Sequence, residues 1–510
     1  MADKRGENPG TVYLVGAGPG DPGLITLRAV ECLNRADFVL HDYLVDTRIL
    51  RHVRDNAELI CLGHHSLKRT MEQDEIHRRM IRAAQEGQTV VHLKGGDPDV
   101  FGKTAEETEA LRSEGIPYEI VPGVTAALAA GGYAEIPLTH GEHSSCLAFV
   151  TGRERSSKIG PGLDFRALAG FPGTLVFYMG IRSAPEWSQA LIQGGKSPGT
   201  PVAIIRRCTL PDQSVVRCTL ADVAQVIRQQ RVRPPAVTVV GEVATMGPDF
   251  SWFTARSLFG QTVLVTRPRH QAETLCDRFS RLGARVLVQP TIEIRPCIDW
   301  GPVDDALTKM DEYDWLVFSS VNGVEYLLHR LFELGRDLRS LGRVRLAAIG
   351  SGTAEALAAR HLKADLVPNE FRAEALAESL APHVADRRVL LARASRGREV
   401  LAERLEQAGA SVSQVVVYES TDVERLEPQV EEALSTHQID WVTITSSAIA
   451  RSAVHLMGDH LGSTKLVSIS PITSDALRSL GCEPSAEATE YTMDGVVDAV
   501  LQAERLQESG

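Results

Sequence analysis

The segment Gly95-Gly96-Asp97-Pro98-Asp99-Val100-Phe101-Gly102 follows the apolar run Thr89-Val90-Val91-His92-Leu93-Lys94, which reads as a buried strand. Two glycines and an acid at the carboxyl end of a strand let the backbone approach a flat ligand closely, and the acid can accept hydrogen bonds from an amine or a ribose. Upstream stands a second strand-to-loop junction, Val15-Gly16-Ala17-Gly18-Pro19-Gly20-Asp21-Pro22-Gly23, and downstream a third, Val121-Pro122-Gly123-Val124-Thr125-Ala126-Ala127. Each loop alone is also an ordinary tight turn. All of them in one α/β unit point to a single ligand pocket at the strand ends. The run Gly16-Ala17-Gly18-Pro19-Gly20-Asp21 puts its third glycine one place early for G-x-G-x-x-G, and no G-K-[ST] follows. The loops therefore fit a nucleotide-like ligand but neither a standard dinucleotide nor a triphosphate.

The elements that must position these loops are legible from periodicity. Val12–Val15, Phe38–Leu40 and Leu59–Leu62 are short buried strands, and residues 72–86 form a helix with Ile76, Met80, Ile81 and Ala84 at helical spacing. Strands alternating with helices over residues 11–140 predict a parallel-rich sheet. A second α/β lobe, about 145–250, is expected from Cys146–Val150, Thr174–Met179, Val202–Ile205 and Ala236–Val240, with a linker at 251–260.

Beyond this point the pattern duplicates itself. VLVTRPRHQAETLCDRFSRLGARV from Val263 matches VLLARASRGREVLAERLEQAGASV from Val389 without a gap, and YDWLVFSSVNGVEYLLHRL from Tyr313 matches IDWVTITSSAIARSAVHLM from Ile439 at the same offset. A third pair starts at Arg345 and Lys465. The period is far too long for a solenoid. It reads as two similar doubly wound lobes with ligand-capable loops at their strand ends and a cleft between them.

Composition narrows the function. A formal net charge of −12 argues against broad nucleic-acid binding, which needs clustered Lys and Arg, but not against a small anionic substrate in a local cationic pocket. The eight cysteines include no C-x-x-C, so neither a disulfide framework nor a zinc knuckle is expected. MADKRGENPG has no apolar h-region, and no apolar run approaches the roughly 20 residues that span a bilayer. The expected location is the cytoplasm, with no membrane partner.

VGAGPGDPGLITLRA, LKGGDPDVFG, VPGVTAA, IPLTH and LVFYMG, in this order over residues 10–250, resemble the tetrapyrrole (precorrin) methylases, and within them the uroporphyrinogen-III C-methyltransferases. The resemblance implies two α/β lobes (about 10–140 and 145–250) with a site for S-adenosylmethionine (SAM) between them, and usually a homodimer. Carried over by motif, Pro19, Gly95, Gly96, Asp97, Val100, Thr125, Ala126, Met179 and Cys208 would touch SAM. Asp42 matches the family's proposed general base, and His64 stands where its partner lysine falls. Lys103 and Gly141 replace arginines expected after the GGDP loop and after Pro137-Leu138-Thr139-His140, which weakens bidentate carboxylate recognition. Arg28 and Arg153 are candidate substitutes for that charge.

VTRP, FSSVNGV, AIGSGTAEAL, SPITSDAL and YTMDGVVDAV make residues 261–505 similar to uroporphyrinogen-III synthase. The resemblance implies one lobe from 297–411 and another from 261–285 plus 421–505. Extended strands would join them, with Arg285–Pro296 and Val412–Thr421 as candidates. Ser319, Ser320, Thr445, Ser446 and Ser447 fall at equivalent strand ends, and Arg267 and Arg393 are equivalent cations for substrate carboxylates. Tyr418 matches the favoured acid for hydroxide departure.

The two resemblances together predict a bifunctional enzyme that cyclises hydroxymethylbilane to uroporphyrinogen III and methylates that product twice with SAM, giving precorrin-2. Two alternatives stay open: another precorrin methylase, or a synthase-like half that only binds tetrapyrrole. No metal is expected. No third module carries a G-x-G-x-x-G fingerprint, so neither NAD-dependent oxidation nor iron insertion is expected.

Overall fold

The structure, a computed structural model, describes residues 9–64, 69–154, 162–370, 372–397 and 399–508. The chain divides into two compact units: one runs up to Gln261 and takes in Phe279–Arg285, and the other comprises Thr262–Arg278 and everything from Val286.

The first unit begins with a five-stranded sheet in the order Glu58–Cys61, Phe38–His41, Val90–Lys94, Val12–Gly16, Tyr118–Val121, with every pairing parallel. Its central strands are apolar on both faces because helices cover both, as a parallel sheet requires. Val12, Leu14, Val90, Phe38 and Leu40 pack on one side with Ile76, Met80 and Ala84 of the helix Gln73–Gln85. Val15, Val39, Val91 and Leu93 pack on the other with Ala29 and Leu33 of the helix Leu27–Arg35. Burial of each such Val, Leu or Ile is worth about 1.5–3 kcal/mol. Gly16 pairs with Lys94, Val15 with Val121 and His41 with Leu93. The glycine loops and the Asp42 loop therefore leave the sheet at one level, at its carboxyl edge.

The second sheet of this unit runs Ser214–Thr219, Pro201–Arg206, Ala236–Val240, Thr174–Tyr178, Leu147–Thr151. Only the last pair is parallel. The short turn Arg207–Gln213 cannot make the crossover that a parallel neighbour needs, so the chain folds straight back. The alanine-rich helix Ala126–Tyr133 packs on this sheet: Ala127, Ala130 and Ile136 share a core with Val176, Ala203, Ile205 and Val237.

In the second unit, one sheet runs Arg285–Val288, Thr262–Val265, Trp441–Ile444, Lys465–Ser468, Ala486–Glu487, and the other Ile292–Pro296, Ser411–Asp422, Arg388–Ala394, Trp315–Phe318, Arg345–Ala348. The repeated segments occupy the same places in their sheets: Thr262–Val265 corresponds to Arg388–Ala394, Trp441–Ile444 to Trp315–Phe318, and Lys465–Ser468 to Arg345–Ala348.

The first joining strand is narrower than expected from sequence, and the second, Ser411–Asp422, slightly longer than Val412–Thr421. Arg285–Val288 belongs to the first sheet, and the chain leaves it at Gln289-Pro290-Thr291, where Pro290 has no N–H to continue a ladder. Ile292–Pro296 then pairs antiparallel with the far end of the long strand Ser411–Asp422, whose near end pairs parallel with Arg388–Ala394.

No helix among the described residues is long and apolar enough to cross a membrane.

Candidate active site

The glycine loops of the first unit interlock. Gly18 and Gly96 exchange backbone hydrogen bonds, N to O, at 3.1 and 2.7 Å. Gly96 has φ +72°, a left-handed conformation that L side chains rarely adopt. Gly123 is held by proximity instead: a Cβ there would stand 2.3 Å from the Gly96 carbonyl oxygen and 2.8 Å from Gly16 Cα. Asp97 stitches the loops together. Its Oδ2 accepts the Gly123 N–H at 2.9 Å and its Oδ1 the Asp99 N–H at 2.8 Å. A carboxylate has about four acceptor sites, so Asp97 can still receive a ligand's donor.

Several of the other residues expected in this site lie on or beside these loops. Pro19 and Val100 are half-buried on them, and the Val100 N–H reaches the Asp97 carbonyl at 3.4 Å. Asp42 leaves the strand Phe38–His41, and its Oδ2 lies 3.9 Å from where a Gly95 Cβ would sit. Thr125 is buried at the start of the helix Ala126–Tyr133. His64 lies in a two-residue strand paired with Arg69, and its side chain falls outside the described residues.

From the second lobe come Met179 and Cys208. Met179 has φ +54° and is 52% exposed. Cys208 stands between Arg207 and Thr209, both with positive φ, and its Sγ lies 3.8 Å from the Ala126 carbonyl. Phe101 and Lys103 on the GGDP loop are also left-handed. Such backbone costs about 1–3 kcal/mol per non-glycine residue and gathers at functional sites.

Burial pushes the Cys208 thiol up to about 12. Thiolate is the nucleophile, so iodoacetamide at pH 8 leaves Cys208 unlabelled in the native chain while half-exposed thiols such as Cys146 react. Peptide mass mapping checks this, and rapid labelling at Cys208 would contradict the burial.

A second network, not legible in the sequence, joins the two lobes. Tyr133 donates to Asp21 Oδ2 at 2.7 Å, Thr209 Oγ1 accepts the Asp21 N–H at 2.9 Å, Gln213 Oε1 accepts the Thr209 N–H at 2.9 Å, and Gln213 Nε2 donates to the Tyr133 carbonyl at 3.1 Å. Burial, reinforced by the bond to Asp21, raises the Tyr133 phenol above its ordinary value.

Beneath the GGDP loop lies a buried ion pair. Lys94 Nζ donates to Glu107 Oε2 at 2.6 Å, and Gln73 Nε2 to Glu107 Oε1 at 2.9 Å. His92 Nδ1 stands 3.4 Å from Glu107 Oε2. Lys103, the departure from arginine, reaches Gln73 Oε1 at 3.2 Å. Arg28 is not a free cation for a ligand, because Glu119 grips it at 2.8 and 2.7 Å and Glu31 at 2.8 Å. Arg153 is exposed.

In the second unit, Ser320 and Ser446 cap the helices Val321–Glu333 and Ser447–Met457, accepting the Gly323 and Ile449 N–H groups at 3.0 and 3.1 Å. Helix N-termini so arranged favour anions. Ser319 donates to the Ala392 carbonyl and Ser447 to the Ile472 carbonyl, each at 3.4 Å, and Thr445 is half-buried on the same loop as Ser446. Tyr418 is 7% exposed, stacks on Tyr326 with centroids 5.8 Å apart, and places its hydroxyl 3.0 Å from Ser320 Oγ.

The repeat-equivalent arginines differ. Arg393 is held by Glu399 and by Gln414. Arg267 meets no carboxylate among the described residues: it donates to Gln271 Oε1 at 3.1 Å and contacts Met493 Sδ at 2.8 Å, and its buried Nε has no partner. Burial lowers its pKa, the mark of a cation short of compensation. Gln271 also donates to Asn322 Oδ1 at 2.6 Å, bridging the two lobes of this unit.

Residues 11–224 match the family model of the tetrapyrrole (corrin/porphyrin) methylases, and residues 273–498 that of uroporphyrinogen-III synthase HemD. A porphyrin biosynthesis protein HemD from Ruminiclostridium josui is 33% identical over 495 residues, 97% of this chain and 98% of that one. An S-adenosyl-L-methionine-dependent uroporphyrinogen III methyltransferase from Methanosarcina barkeri is 45% identical over 236 residues, 46% of this chain and 92% of that one. A siroheme synthase from Zymomonas mobilis is 44% identical over 255 residues, and the match spans about half of each chain. The chain belongs to the tetrapyrrole methylase family through its first half and to the uroporphyrinogen-III synthase HemD family through its second, two modules of tetrapyrrole biosynthesis in one polypeptide.

Proposed function

We propose that the second half closes hydroxymethylbilane to uroporphyrinogen III and that the first half methylates this product twice with SAM, giving precorrin-2. The observation that carries the reading is the cradle of Gly16, Gly96 and Gly123. A Cβ at Gly16 or Gly123 would collide with the Gly96 carbonyl oxygen, so glycine lets the three loops meet at backbone distance, and a relative that matches this half is named an S-adenosyl-L-methionine-dependent uroporphyrinogen III methyltransferase.

SAM supplies an electrophilic methyl on sulfonium sulfur. The chain's own residues orient it and manage the proton. Backbone at Pro19, Gly95, Gly96, Val100, Ala126, Met179 and Cys208, with Asp97 and Thr125, forms the donor pocket. Asp42, beside Gly95, is the proposed base for the proton that leaves the pyrrole carbon after methyl transfer. His64 is the proposed partner for that proton in place of the family's lysine.

In the synthase half, loss of hydroxide from the bilane leaves a stabilised azafulvene cation, so the enzyme's main task is to fold the chain for closure. Ser320 and Ser446, with the helix N-termini they cap, receive substrate carboxylates, as do Ser319, Thr445 and Ser447. Arg267 meets no carboxylate among the described residues and is the principal cation for them, while Arg393 serves once released from Glu399. Tyr418 assists hydroxide departure through Ser320.

One reaction vessel tests the reading. Purified chain given hydroxymethylbilane and SAM is expected to yield a type III macrocycle two methyl groups heavier, seen by mass and isomer analysis. A chain that cyclises without methylating, or methylates only a later precorrin, would refute the first half of the proposal. Type I product alone would refute the second.

A further inference from the structure

The hydroxyl of Tyr178 crosses from one lobe of the first unit to the other. Tyr178 ends the strand Thr174–Tyr178 of the second-lobe sheet, paired with Val237 and Thr151. Its oxygen lies 2.6 Å from Thr125 Oγ1 and accepts the Ala127 N–H at 2.9 Å, both on the first lobe. The helix Ala126–Tyr133 begins there, and Thr125 holds its cap position with extended backbone, yet the threonine hydroxyl makes no capping bond. First-turn N–H groups have no partner within their own helix and need an oxygen. For Ala127 that oxygen is the phenol of the other lobe.

The Tyr178 ring adds a second grip. It packs against Phe101 of the GGDP loop with centroids 5.2 Å apart, and against Phe149 at 5.7 Å. A single second-lobe side chain thus touches both the Gly95–Gly102 loop and the Val121–Ala127 loop. Met179, the next residue, has left-handed backbone and an exposed side chain, and the chain returns to the core at Gly180 and Ile181.

We infer that Tyr178 is a positioning residue for methyl transfer: a helix cap supplied from the opposite lobe, which holds Thr125–Ala126 and the Phe101 loop in the register that receives the methyl donor. The inference rests on the reading that SAM occupies the glycine cradle. Burial raises the phenol pKa, so Tyr178 remains a neutral hydroxyl near neutral pH. Phenylalanine at this position keeps the ring contacts and removes only the hydroxyl, with its bonds to the Ala127 N–H and to Thr125.

The test uses the full chain with S-adenosylhomocysteine as probe and bilane cyclisation as internal control. Tyr178→Phe is expected to weaken S-adenosylhomocysteine binding roughly tenfold, because a buried N–H beside the ligand is left unsatisfied. KM for SAM is expected to rise by more than kcat falls, and cyclisation to stay unchanged. Unchanged probe affinity and KM in Tyr178→Phe would overturn the assignment. So would parallel losses of probe binding and cyclisation, which indicate general destabilisation. A native chain that does not bind the probe would instead sink the reading of the cradle, and this assignment with it.

Discussion

Gly123→Ala is expected to abolish SAM binding and methyl transfer while bilane cyclisation continues at the native rate. The added methyl would sit 2.3 Å from the Gly96 carbonyl oxygen and 2.8 Å from Gly16 Cα, far inside any real carbon contact. Both neighbours are backbone, so no rotamer change relieves the clash. Gly96 cannot retreat, because Gly18 holds it by paired hydrogen bonds and its own φ of +72° resists remodelling. Small-to-large changes against flexible side chains cost about 1–3 kcal/mol, and a clash among fixed backbone atoms exceeds that range. The loops must separate, and separation also breaks the bond from the Gly123 N–H to Asp97. The expected loss in donor affinity is at least roughly hundredfold. Titration with S-adenosylhomocysteine measures it, and an alanine variant with near-native affinity would show that the loops are not interlocked as described.

Glu107→Leu has the largest expected effect on stability. Glu107 is 1% exposed and binds Lys94 at 2.6 Å. Burial acts to raise its pKa, but His92 and Lys94 outweigh it and hold the carboxyl down at about 2 against an ordinary 4.5. Replacing the acid by leucine leaves Lys94 buried without its partner, which costs about 3–5 kcal/mol. Lys94 immediately precedes Gly95, so the strain falls on the donor loop. The temperature at which the full chain loses methyl transfer should drop by roughly 10 °C.

The sign with pH follows from the lowered pKa. The stabilisation by the Glu107 carboxylate is complete above about 4.5 and is lost as pH falls through that value toward about 2. Glu107→Gln should therefore be most damaging near neutral pH and should flatten the acid limb of the unfolding curve. An acid limb identical to that of the native chain would show that the pair contributes nothing.

Much of the architecture was readable because it depends on local signals. The parallel sheet of the first lobe consists of apolar runs such as Val12–Val15 and Phe38–Leu40, buried on both faces. The duplication in the second half was visible because repeat-equivalent strands face equivalent packing. The antiparallel second-lobe sheet was not foreseen, since strand direction depends on which non-local neighbour a strand finds. The first joining strand is shorter than its sequence suggests because Arg285–Val288 and Ile292–Pro296 read as one extended run interrupted only at Pro290.

The candidate site divides in the same way. The glycine motifs at Gly16, Gly96 and Gly123 announced themselves, because absent side chains and left-handed backbone leave a mark in residue type. Glu107 did not: in Thr104-Ala105-Glu106-Glu107-Thr108 it is one acid beside another, and only packing against Lys94 singles it out. Tyr178 read as a strand aromatic, with nothing to show where its hydroxyl goes. Arg267 and Arg393 are interchangeable in the repeat, yet Glu399 satisfies one while the other has no carboxylate among the described residues.

Residue order and type alone were enough to establish the two families and to mark the glycine turns, because periodicity and glycine placement are properties of short stretches of chain. Which polar groups satisfy one another was decided only by the folded molecule, because a hydrogen bond or buried charge pair exists at a distance of about 3 Å between residues that sequence leaves far apart.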